Sequence, residues 1–255
     1  MKRLRLTVAL LIGCLFVPAG RAEGPAPSAD PARLPSLRVI WRVPTEQRVV
    51  ALTFDDGPDP IHTPAILALA RARHFKATFF LVGEQVARYP EIAQEEVAEG
   101  HAVGNHTWDH HTMSVLSKHQ DISEVTRCEA ELDEVCGPHP HLLRPPKGLW
   151  DADTYRAALS LGYPVVLWSV ELEHHLWHSP QQLAQRVIGQ VRPGTIILAH
   201  DGEVDRTTDL NKTLQILPYL VDGLQQRGYR FVTVPELLAL EDRSPRPAPP
   251  VETPQ

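Results

Sequence analysis

Seven short apolar runs alternate with seven segments of helical period between residues 48 and 240, and no repeat of any other kind interrupts them. The strand candidates are 48–54, 77–82, 101–104, 141–143, 164–168, 195–199 and 229–232. Between and after them, residues 63–73, 90–99, 120–135, 151–161, 181–191, 209–227 and 234–240 carry the 3.6-residue period. Strict strand–helix alternation requires crossover connections and hence a parallel sheet, closed as a barrel or doubly wound. We expect an α/β fold in one domain, a distorted (β/α) barrel of about seven parallel strands. Such folds place chemistry at the carboxyl ends of their strands. The polar clusters of this chain lie just there.

The first of these clusters is Asp55-Asp56-Gly57-Pro58, which ends the run Val49-Val50-Ala51-Leu52-Thr53-Phe54. Within a strand, adjacent carboxylates point to opposite faces. A turn at Gly57-Pro58 lets both border one pocket, one to hold a metal and the other to handle protons. The second, Asn105-His106-Thr107-Trp108-Asp109-His110, follows the strand candidate 101–104. Histidines four apart share a face if the segment is a helical turn, and can then chelate one ion. With 13 histidines in 255 residues such a pair arises by chance about once, and His174 with His178 is another. The His106–His110 pair therefore draws its weight from its position after a strand and from the acidic partner Asp56.

Composition narrows the partners. There are 25 basic and 31 acidic residues, a net charge of −6, with no polybasic stripe, so nucleic acid is not an expected partner. Four basic residues and no acidic one fall in residues 1–22, where Met1-Lys2-Arg3-Leu4-Arg5 precedes an uncharged stretch at 6–17 and small residues at Ala19, Gly20 and Ala22. This is the layout of a secretory signal peptide. Twelve residues are too few for a span, which needs roughly 20, so no transmembrane segment is expected in the mature protein. Leu11-Ile12-Gly13-Cys14 leaves lipid anchoring as a lesser alternative. Residues 23–46 read as a Pro-rich linker, 47–240 as the folded domain, and 241–255, with five prolines, as a disordered tail. Cys128 and Cys136 lie eight residues apart on one expected helix, about 12 Å at 1.5 Å per residue. That exceeds disulfide reach, so free thiols are expected.

Thr53-Phe54-Asp55-Asp56-Gly57-Pro58, His106-Thr107-Trp108-Asp109-His110, Arg144-Pro145-Pro146-Lys147-Gly148, the Trp168–Trp177 segment and Leu198-Ala199-His200-Asp201 resemble, in order, the five motifs of the polysaccharide deacetylases. This is the NodB-homology group, carbohydrate esterase family 4. The resemblance implies a metal-dependent enzyme that removes N-acetyl or O-acetyl groups from a polysaccharide or oligosaccharide. Asp56, His106 and His110 occupy its metal-ligand positions and Asp55 that of the general base. Arg144 would orient Asp55, His200 would be the general acid, and Trp168 and Leu198 would line the acetyl pocket. Two imidazoles and one carboxylate suit Zn²⁺, with Co²⁺, Ni²⁺ or Mn²⁺ as alternatives. The oxyanion would meet the metal and a backbone N–H near Lys147.

Two departures matter. Lys147 replaces a common aromatic, and its cation would favour a substrate that carries a carboxylate. In the fourth motif, Glu171, Glu173, His174 and His175 stand where acidic residues and an Asp-Trp pair are usual, so Glu171 or Glu173 would support either the arginine or the catalytic histidine. The competing readings are a catalytically silent glycan-binding envelope protein and an amidohydrolase of the same fold acting on a non-sugar amide.

Overall fold

The computed structural model describes residues 39–173, 178–202, 204 and 209–241. The signal-peptide and lipobox readings, the tail from 242 on, and His174, His175 and Trp177 lie outside these residues. The strands are β1 (Val39–Ile40), β2 (Val49–Asp55), β3 (Thr78–Leu81), β4 (Ala102–Asn105), β5 (Val165–Val166), β6 (Val170–Glu171), β7 (Thr195–His200) and β8 (Arg230–Phe231). The α-helices are α1 (His62–Arg73), α2 (Gly83–Arg88), α3 (Pro90–Ala98), α4 (Lys118–Cys136), α5 (Ala152–Leu161), α6 (Pro180–Gln190), α7 (Leu210–Gln226) and α8 (Val234–Glu241).

All pairing between these strands is parallel. The ladder runs β4-β3-β2-β7-β6, and β8 joins the amino-terminal half of β2. Leu143 makes single parallel bridges to Asn105 and to Val165. These carry the ring from β4 to β5, whose chain runs on into β6, and so close the barrel. The strand expected at 141–143 is thus reduced to one bridging residue. β1, which pairs with β5, lies inside the segment read as linker up to residue 46, so the folded part begins earlier than expected.

β2 is buried at every position because both of its faces are covered. Val50, Leu52 and Phe54 face outward and pack with Ile66 and Leu67 of α1, Leu183 and Val187 of α6, and Ile216 and Leu220 of α7. Val49 and Ala51 join Phe80, Val166 and Ile196 in a separate cluster inside the barrel. The odd-numbered side chains of β2 therefore point inward, and Asp55, the last of them, reaches the carboxyl-terminal rim. α4 and α6 each begin with a capping box, Ser117 with Gln120 and Ser179 with Gln182, which satisfies orphan N–H groups and fixes where each helix starts. Cys128 and Cys136 are both free thiols on α4, the first buried.

Candidate active site

Register decides which side chains meet at the rim. Asp55 is level with His200 across β2 and β7, and Thr53 with Leu198. Beyond Asp55 the chain turns at once: Asp56 has φ 75°. The loop after β7 packs on this turn, with the N–H groups of Asp201 and Gly202 donating to the carbonyl of Asp55 at 3.1 and 3.3 Å. The approach is so close that a Cβ on Gly202 would sit 2.0 Å from the Asp56 carbonyl oxygen, and one on Gly57 would sit 2.3 Å from the Asp201 carboxylate. Asp201 is buried and accepts from Thr63 Oγ1 at 2.5 Å. Burial and the neighbouring Asp56 and Asp55 push its carboxyl up to about 8, Thr63 opposing them. It holds the turn and does not face the imidazoles.

Asp55 Oδ1 accepts from Arg144 Nη1 at 2.6 Å. The fully buried guanidinium also donates to Thr53 Oγ1 at 2.8 Å, to the Val166 carbonyl at 3.0 Å and to the Leu167 carbonyl at 3.2 Å, and lies over the Phe80 ring at 4.0 Å. Four of the five N–H groups are thus engaged by β2 and by the β5–β6 segment, which fixes the orientation of Arg144. Burial draws its pKa down, with Asp55 opposing the change.

His106 and His110 converge on Asp56. Their Nε2 atoms lie 3.4 and 3.2 Å from Asp56 Oδ1, and one ligand atom from each of the three residues falls within 4.8 Å of the other two. Asp56 Oδ1 is buried and makes no hydrogen bond. His106 Nδ1 contacts the Arg144 carbonyl at 2.6 Å. That nitrogen must carry the proton, which leaves the Nε2 lone pair for an ion. Burial pushes the Asp56 carboxyl up, but His106, His110 and His200 outweigh it and hold the group below its usual range. A carboxylate oxygen with no hydrogen bond, faced by two imidazole Nε2 atoms, fits a divalent cation.

The segment 106–110 is not the helical turn expected from the four-residue spacing. Thr107 and His110 have φ of 70° and 62°, and the segment is a loop. Its shape comes from elsewhere. Asn105 Oδ1 accepts from the Thr107 N–H at 3.0 Å, and Glu124 Oε2 of α4 accepts from the N–H groups of Trp108 and Asp109 at 3.1 and 3.3 Å. The first N–H groups of α2, on Gly83 and Glu84, donate to the carbonyls of Thr107 and Trp108. Trp108 is buried between Gly83 and the Arg127 guanidinium, so it packs and does not face the pocket. Nothing in the motif's own sequence pointed to Glu124 or α2.

His200 Nδ1 lies 3.5 Å from Glu173 Oε2, while Glu173 Oε1 accepts from the His200 N–H at 3.0 Å and from Thr213 Oγ1 of α7 at 2.9 Å. Of the two acids left open by the fourth motif, the structure brings Glu173 to the histidine and neither to Arg144. Burial lowers the imidazole pKa, but Glu173 first, then Asp55 and Asp56, carry it up to about 10. Leu198 is buried on β7, and half-buried Trp168 lies against Gly148, where a Cβ would come within 2.6 Å of its ring. Lys147 sits on the turn before it with φ 61° and an exposed side chain.

The family model described as polysaccharide deacetylase matches residues 42–166. The chain is 37% identical over 206 residues to a peptidoglycan-N-acetylglucosamine deacetylase of Bacillus cereus, covering 80% of this chain and 94% of the relative. It is 34% identical over 198 residues to a chitooligosaccharide deacetylase of a Bradyrhizobium species, covering 74% and 90%. A crystal structure of a peptidoglycan N-acetylglucosamine deacetylase superposes with a TM-score of 0.74 at 31% identity, over 79% of this chain and 92% of the other.

Proposed function

The chain belongs to the polysaccharide deacetylase family, and on that premise we propose that it is an exported, metal-dependent deacetylase of an N-acetylated envelope glycan such as peptidoglycan or a chitin-like oligomer. It is a glycan deacetylase, a hydrolase acting on carbon–nitrogen bonds. Metal dependence rests on one observation above all: the orphaned Asp56 Oδ1 faced by His106 and His110, beside a carboxylate held by Arg144. Asp56, His106 and His110 would hold the ion, and their N and O donors suit zinc while admitting cobalt, nickel or manganese. When bound, the ion supplies a Lewis acid that acidifies water and polarises a carbonyl.

The chain's own groups divide the remaining tasks. Asp55 has Oδ1 committed to Arg144, leaving Oδ2 as the base that takes a proton from the attacking water. Arg144 keeps that carboxylate aimed. His200 turns Nδ1 toward Glu173, so its Nε2–H serves the departing amine. The Lys147 N–H serves the oxyanion, and Trp168 and Leu198 wall the space for the acetyl methyl. Export rests on the basic start and the apolar stretch at 6–17. Among the described residues no helix is long and apolar enough to cross a membrane.

The test is acetate release from N-acetylglucosamine oligomers and peptidoglycan, with zinc, cobalt and manganese each supplied. Wild type should release acetate, and Asp55→Asn should lose turnover while keeping its metal content. Glycan binding by wild type without acetate release under every metal would overturn the assignment in favour of a silent binding protein.

A further inference from the structure

A second group of metal-binding donors lies away from the rim, where α4 ends and the chain turns toward Arg144. Its sequence is Gly137-Pro138-His139-Pro140-His141. Glu129 Oε1 lies 3.3 Å from His139 Nε2 and 3.2 Å from His141 Nε2. This repeats the arrangement at the rim, one carboxylate oxygen faced by two Nε2 atoms. The likeness extends to the unused valences: Glu129 Oε1 and His139 Nε2 are buried and make no hydrogen bond, as at Asp56 Oδ1. His139 Nδ1 contacts the Gly137 carbonyl at 2.9 Å, as His106 Nδ1 contacts that of Arg144, so Nδ1 carries the proton and Nε2 turns toward the carboxylate. The His139 side chain is only 3% exposed.

Two further groups complete the surroundings. Asp133, one turn after Glu129, brings Oδ1 to 3.7 Å from His139 Nδ1, and ligand atoms of Glu129, Asp133 and His139 lie within 4.8 Å of one another. Glu129 Oε2 accepts from Asn105 Nδ2 at 3.1 Å, and the Tyr163 hydroxyl also lies against this carboxylate. His141 stacks on Tyr163 with ring centroids 5.0 Å apart and is 56% exposed, so an ion has a path in from solvent.

The geometry points to a second divalent transition-metal site formed by Glu129, His139 and Asp133 with His141 at its exposed edge, which pins the end of α4 to the segment that carries Arg144. The donors are two imidazoles and carboxylate oxygen, the set that takes Zn²⁺, Ni²⁺ or Co²⁺ and disfavours Ca²⁺ or Mg²⁺. The site is distinct from the rim because it shares no ligand with it. It still touches the rim mechanically, since Asn105 bridges Glu129 and the Thr107 N–H of the His106–His110 loop. Without an ion the same groups form an ion pair between Glu129 and a protonated His139, and that is the alternative to be defeated.

The test is ion stoichiometry on the full chain, stripped with chelator, dialysed against excess Zn²⁺ and then buffer, and read by elemental analysis per folded chain. A parallel titration with Co²⁺ is read by visible absorption. Wild type should hold two ions, the double variant H106Q/H110Q one, and the double variant E129Q/H139Q one. Should E129Q/H139Q fail to fold, His141→Gln at the exposed ligand should weaken one of the two ions by about tenfold or more. A wild type with one ion, lost in H106Q/H110Q, overturns the second site and leaves the rim intact. One ion that survives H106Q/H110Q but is lost in E129Q/H139Q overturns the rim assignment instead. Binding indifferent to all three variants marks a surface ion and overturns the proposal.

Discussion

Replacing Glu173 by Gln should move the basic limb of the pH–rate profile far more than it moves substrate affinity. In the wild type, Glu173 is the largest favourable influence on His200, whose pKa is carried up to about 10 against the effect of burial. Gln retains an oxygen for the His200 N–H and for Thr213 Oγ1. In place of Oε2 it presents an N–H group to Nδ1, which removes the charge and favours the neutral imidazole. With Glu173 no longer opposing burial but Asp55 and Asp56 still favouring the charged imidazole, the pKa should fall by about 2 units, to about 8, or roughly 3 kcal/mol at 1.36 kcal/mol per unit. At pH 9.5 that leaves about 3 per cent of the imidazole protonated, against about three quarters in the wild type, and kcat should fall by about 25-fold, while near pH 6 the two enzymes should differ by only a few-fold. The assay is acetate release across pH 5.5–10 with kcat and KM separated and metal content measured at each end. A basic limb that stays in place, with kcat lowered equally at every pH, would refute the view that Glu173 acts through the His200 proton.

Three further outcomes follow from the same geometry. Gly202→Ala puts a Cβ 2.0 Å from the Asp56 carbonyl oxygen, a backbone atom that cannot step aside; ion affinity and activity should fall together, with about 2 kcal/mol or more of stability lost in denaturant titration. Gly189→Ala, on an exposed helical position of α6 with nothing within 4 Å of the new methyl, should instead gain about 0.5–1 kcal/mol in the same titration. His101 is buried, accepts the Ala77 N–H at 3.0 Å, and has its pKa pulled down to about 4 by burial and by the Lys76 and Arg71 charges. Because the unfolded chain binds this proton near pH 6.5 and the native state does not, stability should be constant above 6.5 and fall as the pH drops toward 4, by up to about 3 kcal/mol. His101→Gln should remove that slope, and an unchanged slope would show that other groups cause it.

The strand pattern and the chemistry-bearing residues were legible in the sequence because both depend on local signals. An apolar run ending in Asp-Asp-Gly-Pro reads as a strand whose last inward position is acidic, and β2 ends on Asp55. What could not be read was anything fixed by a distant partner. The His106–His110 spacing resembles a helix only in sequence, since the loop takes its shape from Glu124 on α4 and from the N-terminus of α2, a helix of six residues too short to show a period. β1 was hidden in a Pro-rich stretch because two residues carry no periodicity, and only pairing with β5 makes them a strand.

The choice between Glu171 and Glu173 shows why register, and not motif, settles the site. Both acids fall on the same side of an extended chain, so parity cannot separate them. β6 pairs Glu171 with Leu198 of β7, and two residues on the same offset brings residue 173 level with His200. β7 in turn sets His200 level with Asp55 of β2. Glu173, His200 and Asp55 therefore form one row across three adjacent parallel segments at the barrel rim, with Arg144 reaching Asp55 from inside. The groups proposed as supporting acid, proton donor and base are aligned by two backbone registers. A one-residue slip in either ladder would turn the affected side chain out of the barrel. The heavily buried apolar faces of β2 and β7, which forbid that slip, thus set the catalytic geometry as firmly as the polar residues themselves.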